Sequence, residues 1–174
     1  MTKISFGGVD LFETFGILCE TRRDVLAPPV NDRNIHIPEK DGSWWSKEYR
    51  YSDRMVELGC VTMTELDRSM LRELAYVLSG KKKLVLHDEP DKYYMAQLCD
   101  LSVIQHIGRK GTKHVLQFRC EPFAYGETVV QEIESGVQKA EYHGTARAPV
   151  QVILKNESEI PATNILVKLT HKRP

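Results

Sequence analysis

LVLHDEPDKYYMAQL, residues 84–98, holds two apolar segments on either side of a turn formed by Asp88, Glu89, Pro90 and Asp91. Pro90 fixes φ near the value that the second position of a turn requires, and the acidic side chains can accept hydrogen bonds from nearby backbone amides. The stretch therefore predicts two antiparallel strands joined by an acidic turn. Three carboxylates on one turn could form a chemical site or a solvated loop, and this choice bears on whether the protein is an enzyme.

The composition is that of an ordinary globular protein. The chain has 174 residues, of which 41% are apolar and 28% charged, enough for one well-packed domain or one domain with a short appendage. Lysine plus arginine and aspartate plus glutamate number 24 each, so there is no basic excess of the kind that non-specific phosphate binding requires. No apolar run reaches the ~20 residues of a membrane span, and MTKISFGGVD lacks the apolar core of a signal peptide. We expect a protein that folds in the cytoplasm and has neither a membrane partner nor sequence-specific nucleic-acid binding.

The chemistry-bearing residues form no known catalytic or metal motif. GxSxG, GxxxxGK[ST], GxGxxG and HExxH are all absent from the sequence. Glycosidase carboxylates are held by rigid elements at a set separation, whereas neighbours on a Pro-bearing turn diverge into solvent. We therefore expect no catalytic residue, no cofactor and no metal ligand, so the protein is not an enzyme. A calcium or magnesium contact, or a small hydrolase that uses Asp88, Glu89 or Asp91, are the alternatives.

The four cysteines are scattered through apolar runs without a CxxC pair, at Cys19, Cys60, Cys99 and Cys120. Buried, reduced thiols are the expectation, and two disulfides in a secreted protein are the alternative. The histidines are spread singly along the chain, which argues against a zinc site with clustered ligands.

One helix is predicted, over about 64–79. Its apolar stripe carries Leu66, Met70, Leu74, Val77 and Leu78. Thr62 with Glu65, or Thr64 with Asp67, has the spacing of a capping box, and Ser79-Gly80 should end the helix because glycine accepts the left-handed conformation there. The lysines at 81–83 then complement the negative end of the helix dipole, with nucleic-acid binding as the alternative.

Strands are predicted on both sides of this helix. Gly7-Gly8 suggests a tight turn after a short strand, and Leu11-Phe12 with Phe15–Cys19 should supply the next strand. Residues 55–62 and 114–120 alternate between apolar and polar side chains, as half-buried strands do, and Thr128–Ile133 is β-branched enough for one more. The predicted class is mainly β, an antiparallel sandwich-like domain with one α-helix and an extended loop.

The extended loop is an excursion over about residues 22–54, rich in proline and charge. A long excursion of this kind is uncommon in a compact domain unless it has a function. It carries four large aromatic residues, Trp44, Trp45, Tyr49 and Tyr51. They could cover an edge of their own core, stack on sugar, or anchor another subunit, since Trp and Tyr are favoured at interfaces.

A second segment is predicted to begin near Gly144, which divides the chain into a domain at 1–143 and a segment at 144–174. In the segment, Val150–Leu154 and Ile165–Leu169 alternate as strands do. Two strands and a turn cannot bury a core alone. The segment is therefore expected either to pair with the first domain or to be the incomplete start of a second, β-sandwich domain.

Five parts follow one another in a distinctive order: FGGVD with FGI soon after, IPEKDGSWW (37–45), a strand leading into one capped helix, residues 84–98, and FRCEPFAYG (118–126). In this order they resemble the N-terminal domain of the distal tail protein of long-tailed, siphovirus-type bacteriophages, over roughly residues 1–135. HGTARAP (143–149) followed by a strand resembles the start of that family's C-terminal domain, of which about thirty residues are expected here.

The resemblance implies a structural phage tail-tip or baseplate protein, located in the virion and assembled in the host cytoplasm. Family members form a hexameric ring between the tail-tube protein and the baseplate or tail-fibre proteins, with DNA passing through the channel, and an arm of each subunit clasps the next. As a hypothesis, Trp44, Trp45, Tyr49 and Tyr51 anchor this contact. The alternative function is that of a carbohydrate-binding module of a phage or cell-wall-associated protein.

Overall fold

The computed structural model describes residues 3–31, 34–36, 38–45, 50–62, 66–101, 105–107, 111–134, 136–137, 142, 144–146, 148–157, 160, 163 and 165–169. By internal contacts the chain divides into a unit at Met1–Ile133 and a unit at Glu134–Pro174. The helices and strands of the described residues all belong to the first unit and are β1 (Ser5–Phe6), β2 (Val9–Asp10), α1 (Leu11–Phe15), β3 (Ile17–Arg23), β4 (Asn34–His36), β5 (Ser43–Trp45), β6 (Arg54–Thr62), α2 (Arg68–Val77), β7 (Lys81–Val85), β8 (Tyr94–Leu101), β9 (Gln105–Ile107) and β10 (Gly111–Cys120).

Eight of these strands form one antiparallel sheet in the order β2-β1-β7-β8-β10-β6-β3, with β9 paired to the start of β10. The hairpin predicted from residues 84–98 lies inside this sheet, with β7 and β8 paired from Lys81 opposite Gln97 to Leu84 opposite Tyr94. The turn predicted at Gly7-Gly8 joins β1 to β2, and both glycines have positive φ, 61° and 85°. The predicted class, mainly β with an antiparallel sandwich-like arrangement, is confirmed.

The sheet is strongly curved, so that its two ends approach each other. A flat path of seven strands would be about 29 Å wide, and the seven steps from Asp10 to Ile17 span at most about 24 Å even when fully extended. Most of that connection is helical, which shortens it further. The rings of Phe6 on β1 and Phe118 on β10 have centroids 5.1 Å apart, although β7 and β8 lie between these strands. The sheet therefore wraps around a common core.

The core follows from strict alternation along the two central strands. On β6 the side chains at even-numbered positions from Arg54 to Thr62 are buried, and on β10 so are those from Thr112 to Cys120. Their concave face packs with residues in or next to β1, β3, β7 and both helices: Ile4, Phe6, Leu11, Phe15, Ile17, Leu74, Leu78, Leu84 and Leu86. The burial pattern thus has the period of two that a half-buried strand requires.

Residues 11–15 form a short helix, so the strand predicted from Leu11-Phe12 with Phe15–Cys19 is wrong in its first part, whereas Ile17–Cys19 belong to β3. Asp10 caps α1, because its Oδ1 accepts hydrogen bonds from the backbone amides of Phe12 (2.8 Å) and Glu13 (3.0 Å). Gly16 ends it with φ 65° and ψ 26°. Leu11 and Phe15, four positions apart, are the buried residues of the helix, a spacing that suits a helical turn as well as it suits the ends of a strand.

The predicted helix at 64–79 is α2, but it starts at Arg68. Asp67 is the N-cap, with its Oδ1 accepting from the amide of Met70 at 2.8 Å. The predicted capping boxes fall on residues 64 and 65, which lie outside the described residues, while Thr62 is the last residue of β6. The apolar stripe is correct, since Leu74 and Leu78 are buried and Leu66 and Val77 pack against the core. The expectation of a single helix is wrong because α1 is a second one.

Three of the four cysteines, Cys19, Cys60 and Cys120, are buried as expected, and Cys99 is exposed. Cys99 lies on β8, whose residues in or against the core are Tyr94, Ala96 and Leu98. An odd-numbered position on that strand points away from the core, which explains the exposure.

The second unit contains no strand among its described residues. The strands predicted at Val150–Leu154 and Ile165–Leu169 are not formed, and Thr128–Ile133 in the first unit is likewise irregular. Ile153, Leu154 and Leu166 are exposed, which is the expected result for strands without a second apolar layer to pack on. The assignment of 144–174 to the start of a further domain stays a prediction.

Candidate functional site: an arm and its root

The most unusual feature of the first unit is an arm, residues 24–53, which lies between β3 and β6. Its two legs pair with each other: the amide of Asn31 donates to the carbonyl of Arg50 (2.6 Å), the amide of Ser52 donates to that of Pro29 (2.8 Å), and Val30 bridges Tyr51. Further out, β4 and β5 form a separate two-stranded sheet. The predicted excursion at 22–54 is thus an antiparallel ribbon, and its outer residues at 22, 23 and 54 belong to the flanking strands.

The four aromatic residues predicted as anchors are all on this arm. Trp44 and Trp45 occupy β5, opposite Ile35 and Asn34; their side chains, and the whole of Tyr49, lie outside what the structure describes. Tyr51 is on the returning leg and 47% exposed. Its ring meets that of Phe123 edge-on, with 5.1 Å between centroids.

The arm leaves the sheet through a β-bulge. In the pairing of β3 with β6, Thr21 is opposite Leu58 and Arg23 is opposite Glu57, so Arg22 is the extra residue. A bulge bends the strand that carries it and increases its twist. The side chain of Arg22 lies where a side chain at position 59 would be, since a Cβ on Gly59 would come within 2.1 Å of its Nε. Glycine at 59 therefore leaves room for the bulged arginine at the point where the arm begins.

A buried arginine ties the two legs of the arm to the sheet. Arg54, the first residue of β6, donates from Nη2 to Asp24 Oδ1 and to the carbonyl of Val25 (2.7 Å) at the start of the arm. Its Nη1 donates to the hydroxyl of Tyr94 at 3.3 Å, and the guanidinium lies 4.9 Å from the centroid of that ring. The Arg54 side chain is 9% exposed and that of Asp24 is 34% exposed. We call these four residues, Asp24, Val25, Arg54 and Tyr94, the arm root.

The segment FRCEPFAYG (118–126) joins the arm to the hairpin. Phe123 contacts Tyr51 of the arm, and Tyr125 forms two backbone hydrogen bonds with Tyr93, of 2.8 and 2.9 Å. The rings of Tyr93 and Tyr125 are stacked with 5.5 Å between centroids, and Lys83 Nζ lies 4.3 Å from the Tyr93 centroid. Two of the sequence parts that carry the family resemblance therefore touch, and one of them also touches the arm.

The acidic turn is connected to the arm root through Glu89. Lys92 Nζ donates to Glu89 Oε1 at 3.0 Å, and this contact raises the pKa of Lys92. The hydroxyl of Tyr94 lies 3.5 Å from Glu89 Oε2, and burial is the main reason why the pKa of Tyr94 is raised. The side chains of Asp88 and Asp91 are exposed. The carboxylates thus divide between one that supports the arm root and two that face solvent.

A shallow groove of about 410 Å³ runs beside this turn, between β7 and residues 126–128. Lysines 83 and 92 and the acids Asp91 and Glu127 line it together with Tyr93. On the segment that precedes residues 126–128, Glu121 accepts from Lys81 and Tyr125, and both contacts lower the pKa of Glu121. Charges of both signs therefore surround an open depression.

The predicted role of the lysines at 81–83 is supported for Lys82. Its Nζ donates to the carbonyl of Val77 at the end of α2, at 2.8 Å, where the helix dipole is negative. All three lysines belong to β7 rather than to a loop.

Within the described part of the chain, no group of three or more His, Cys, Asp or Glu side chains is placed to hold a metal ion. No helix among the same residues has the length and apolar character that crossing a membrane demands.

No protein-family model matches the chain, and no curated protein matches it. Among solved structures, the fold is similar to that of the Dit (gp 19.1) protein of phage SPP1, with a TM-score of 0.56 and 20% sequence identity, over 72% of this chain and 52% of that one. The likeness is one of fold. That crystal structure is described as a paradigm of the hub adsorption apparatus in phages that infect Gram-positive bacteria. This chain spans about half the length of the SPP1 protein.

Arg54 and Phe123 are two of the residues of this region whose roles the sequence did not reveal. A signal existed for Arg54: it occupies a position at which the alternation of β6 requires a buried side chain, and a buried arginine needs partners. Phe123 has no comparable signal, because its contact with Tyr51 joins two irregular segments that are far apart in the sequence.

Proposed function

We propose that this protein is a structural component of a phage tail tip, and that its copies assemble through the arm into a closed ring. The proposal rests on one observation: a curved antiparallel sheet, similar in fold to the SPP1 Dit protein, carries an arm of paired strands that is fixed at its root. The fold alone leaves function open. The arm adds the feature that a ring-forming subunit needs.

A closed ring requires a heterologous interface, in which one patch of a subunit meets a different patch of the next. An arm that leaves its own sheet offers the first patch, and Trp44, Trp45, Tyr49 and Tyr51 supply the side-chain types that anchor interfaces. Because β4 and β5 pair with each other and not with the main sheet among the described residues, we assign the outer part of the arm to contact with a neighbour.

The ring we propose has six copies and joins the tail-tube protein to the baseplate or tail-fibre proteins, with DNA passing through its channel. The net charge of zero suits a channel along which DNA must slide, since a strongly basic wall would hold the phosphates. Neither partner proteins nor bound nucleic acid are needed for the ring itself to be tested.

The test is the mass of the assembled particle, by native mass spectrometry and negative-stain electron microscopy. The full chain should give a sixfold ring at high concentration. A variant in which Asn-Gly replaces residues 31–50 keeps the Val30–Tyr51 pair as the end of a short hairpin, and it should be monomeric. The double variant Trp44→Ala/Trp45→Ala should weaken the ring at least tenfold, whereas Tyr76→Ala, which removes an aromatic ring that is 78% exposed on α2, should leave it unchanged.

A ring that persists without residues 31–50 would contradict the role of the arm, and a full chain that stays monomeric at every concentration would contradict self-assembly. Titration with cell-wall oligosaccharides, followed by tryptophan fluorescence, addresses the carbohydrate-binding alternative. A saturable change would favour that alternative over the ring.

A further inference from the structure

Two buried cysteines face each other across the strands from which the arm emerges. Cys19 on β3 and Cys60 on β6 are direct partners in the antiparallel register. Both are fully buried, and their sulfur atoms are 2.7 Å apart. Non-bonded heavy atoms pack best at about 3.5–4.0 Å, and the sulfurs of a disulfide are about 2.0 Å apart. The two thiols are therefore adjacent and face each other, as formation of a disulfide requires.

We propose that Cys19 and Cys60 form a cross-strand disulfide that closes the chain around the arm. The two residues are 41 positions apart, and the whole arm (24–53) lies between them, so the bond would join the two strands beneath the arm root. Cys120 and Cys99 are less suitable partners, because Cys120 is opposite Arg54 in the register and Cys99 is exposed on β8.

Oxidation proceeds by thiol–disulfide exchange with a low-molecular-weight disulfide such as oxidised glutathione. The thiolate of one cysteine attacks the reagent and releases one glutathione thiol; the thiolate of the other then attacks the mixed disulfide and releases a second. Two protein thiols are oxidised, and one molecule of oxidised glutathione is reduced to two of glutathione. The protons of the two cysteines pass to the solvent and to the released thiolates.

Access to the pair depends on the edge of the sheet. β3 is the last strand in the sheet order and has a partner on one side among the described strands, so local separation of β3 from β6 exposes both sulfurs. After closure the bond is again buried, which protects it from reductants. His114, opposite Cys60 on β10, is a neutral neighbour whose pKa is lowered by burial.

The test is the covalent state of the full-length chain. Reduced protein is refolded from urea in a buffer of reduced and oxidised glutathione, free thiols are blocked with iodoacetamide, and the intact mass and tryptic peptides are measured. With the blocking step carried out in urea, so that buried thiols also react, we expect a linked peptide pair that contains Cys19 and Cys60, an alkylated Cys120, and a Cys99 that carries either the alkyl group or glutathione. The same protein kept in a phosphine reductant should show four alkylated cysteines.

A disulfide that closes a loop of this length should raise the Tm of the oxidised protein by roughly 5–15 °C over the reduced form. Cys99→Ser should keep this difference, and Cys19→Ala/Cys60→Ala should abolish it. Glutathione attached to the exposed Cys99 of the parent chain shows that the reagent is active. Four free thiols after refolding, or a bond between any other pair, would overturn the proposal. The ring can form without the disulfide, and the disulfide can form without the ring. The outcome of this experiment is therefore independent of the outcome of the ring-assembly test.

Discussion

Replacement of Arg54 by methionine should destabilise the first unit, because it removes the contacts at the arm root while it keeps the apolar volume of the side chain. The guanidinium donates to the carboxylate of Asp24 and to the carbonyl of Val25. Truncation of hydrogen bonds that involve a charged group costs about 1.5–3 kcal/mol each. Two effects reduce the total: Asp24 is 34% exposed and regains water, and the variant no longer buries an unpartnered Nε.

The balance is a loss of about 2 kcal/mol in the free energy of unfolding. In a unit of 133 residues this corresponds to a fall in Tm of roughly 6–10 °C. Urea denaturation followed by circular dichroism measures it as a lower midpoint at unchanged slope. Chymotrypsin should also cut the aromatic residues of the arm faster, since the root no longer restrains the two legs.

The matched control for Arg54→Met is Lys81→Met. Lys81 pairs with Glu121, but its side chain is 51% exposed, and exposed ion pairs contribute about 0–1 kcal/mol. If Arg54→Met unfolds at the same urea concentration as Lys81→Met, and the arm is cut no faster than in the parent chain, the arm root does not hold the arm and this reasoning is refuted.

Two further substitutions test the core and the cap. Both ring nitrogens of buried His114 lack a partner among the described residues, and burial lowers the pKa of this side chain. The unfolded chain therefore binds a proton at His114 more readily than the folded chain does. The free energy of unfolding should fall as the pH drops below about 6.5. Urea denaturation at pH 7 and pH 5.5 measures the difference in the free energy of unfolding between the two pH values. His114→Leu should reduce this difference, whereas the control His87→Leu, at an exposed position, should leave it unchanged. If the two variants show the same difference, the assignment to His114 is refuted. Asp67→Ala should cost about 1 kcal/mol by uncapping α2; a loss no larger than that of Asp91→Ala, on the exposed turn, would count against the cap.

Local chemistry in the sequence predicted several elements of this fold. The Pro90 turn and the Gly7-Gly8 turn each follow from the φ values that these residues accept, and the apolar stripe of α2 follows from a period of 3.6. The sequence also held the signal for α1: Asp10 followed three residues later by Glu13, with Gly16 after the last turn. That pattern competes with a run of apolar residues that equally predicts a strand, because both interpretations bury Leu11 and Phe15.

The arm root could not be predicted in the same way. Asp24 and Arg54 are 30 positions apart, and Arg54 and Tyr94 are 40 positions apart, so no local pattern relates them. Their contact depends on the register that places β6 beside β3 and on the curvature that brings β8 near. The aromatic residues of the arm stood out by composition alone, and the acidic turn was recognised as turn chemistry, although its Glu89 has a supporting contact with Tyr94 that the sequence does not reveal.

The position of the arm in the topology has a consequence for how such a protein can change over time. β3 and β6 are neighbours in the sheet, so everything between them is formally one very long hairpin loop. Doubling the length of a flexible loop costs only about 0.6 kcal/mol, and neither the register nor the core on either side has to change. The reach of the subunit can therefore be lengthened or shortened by insertion and deletion while the same sheet continues to fold.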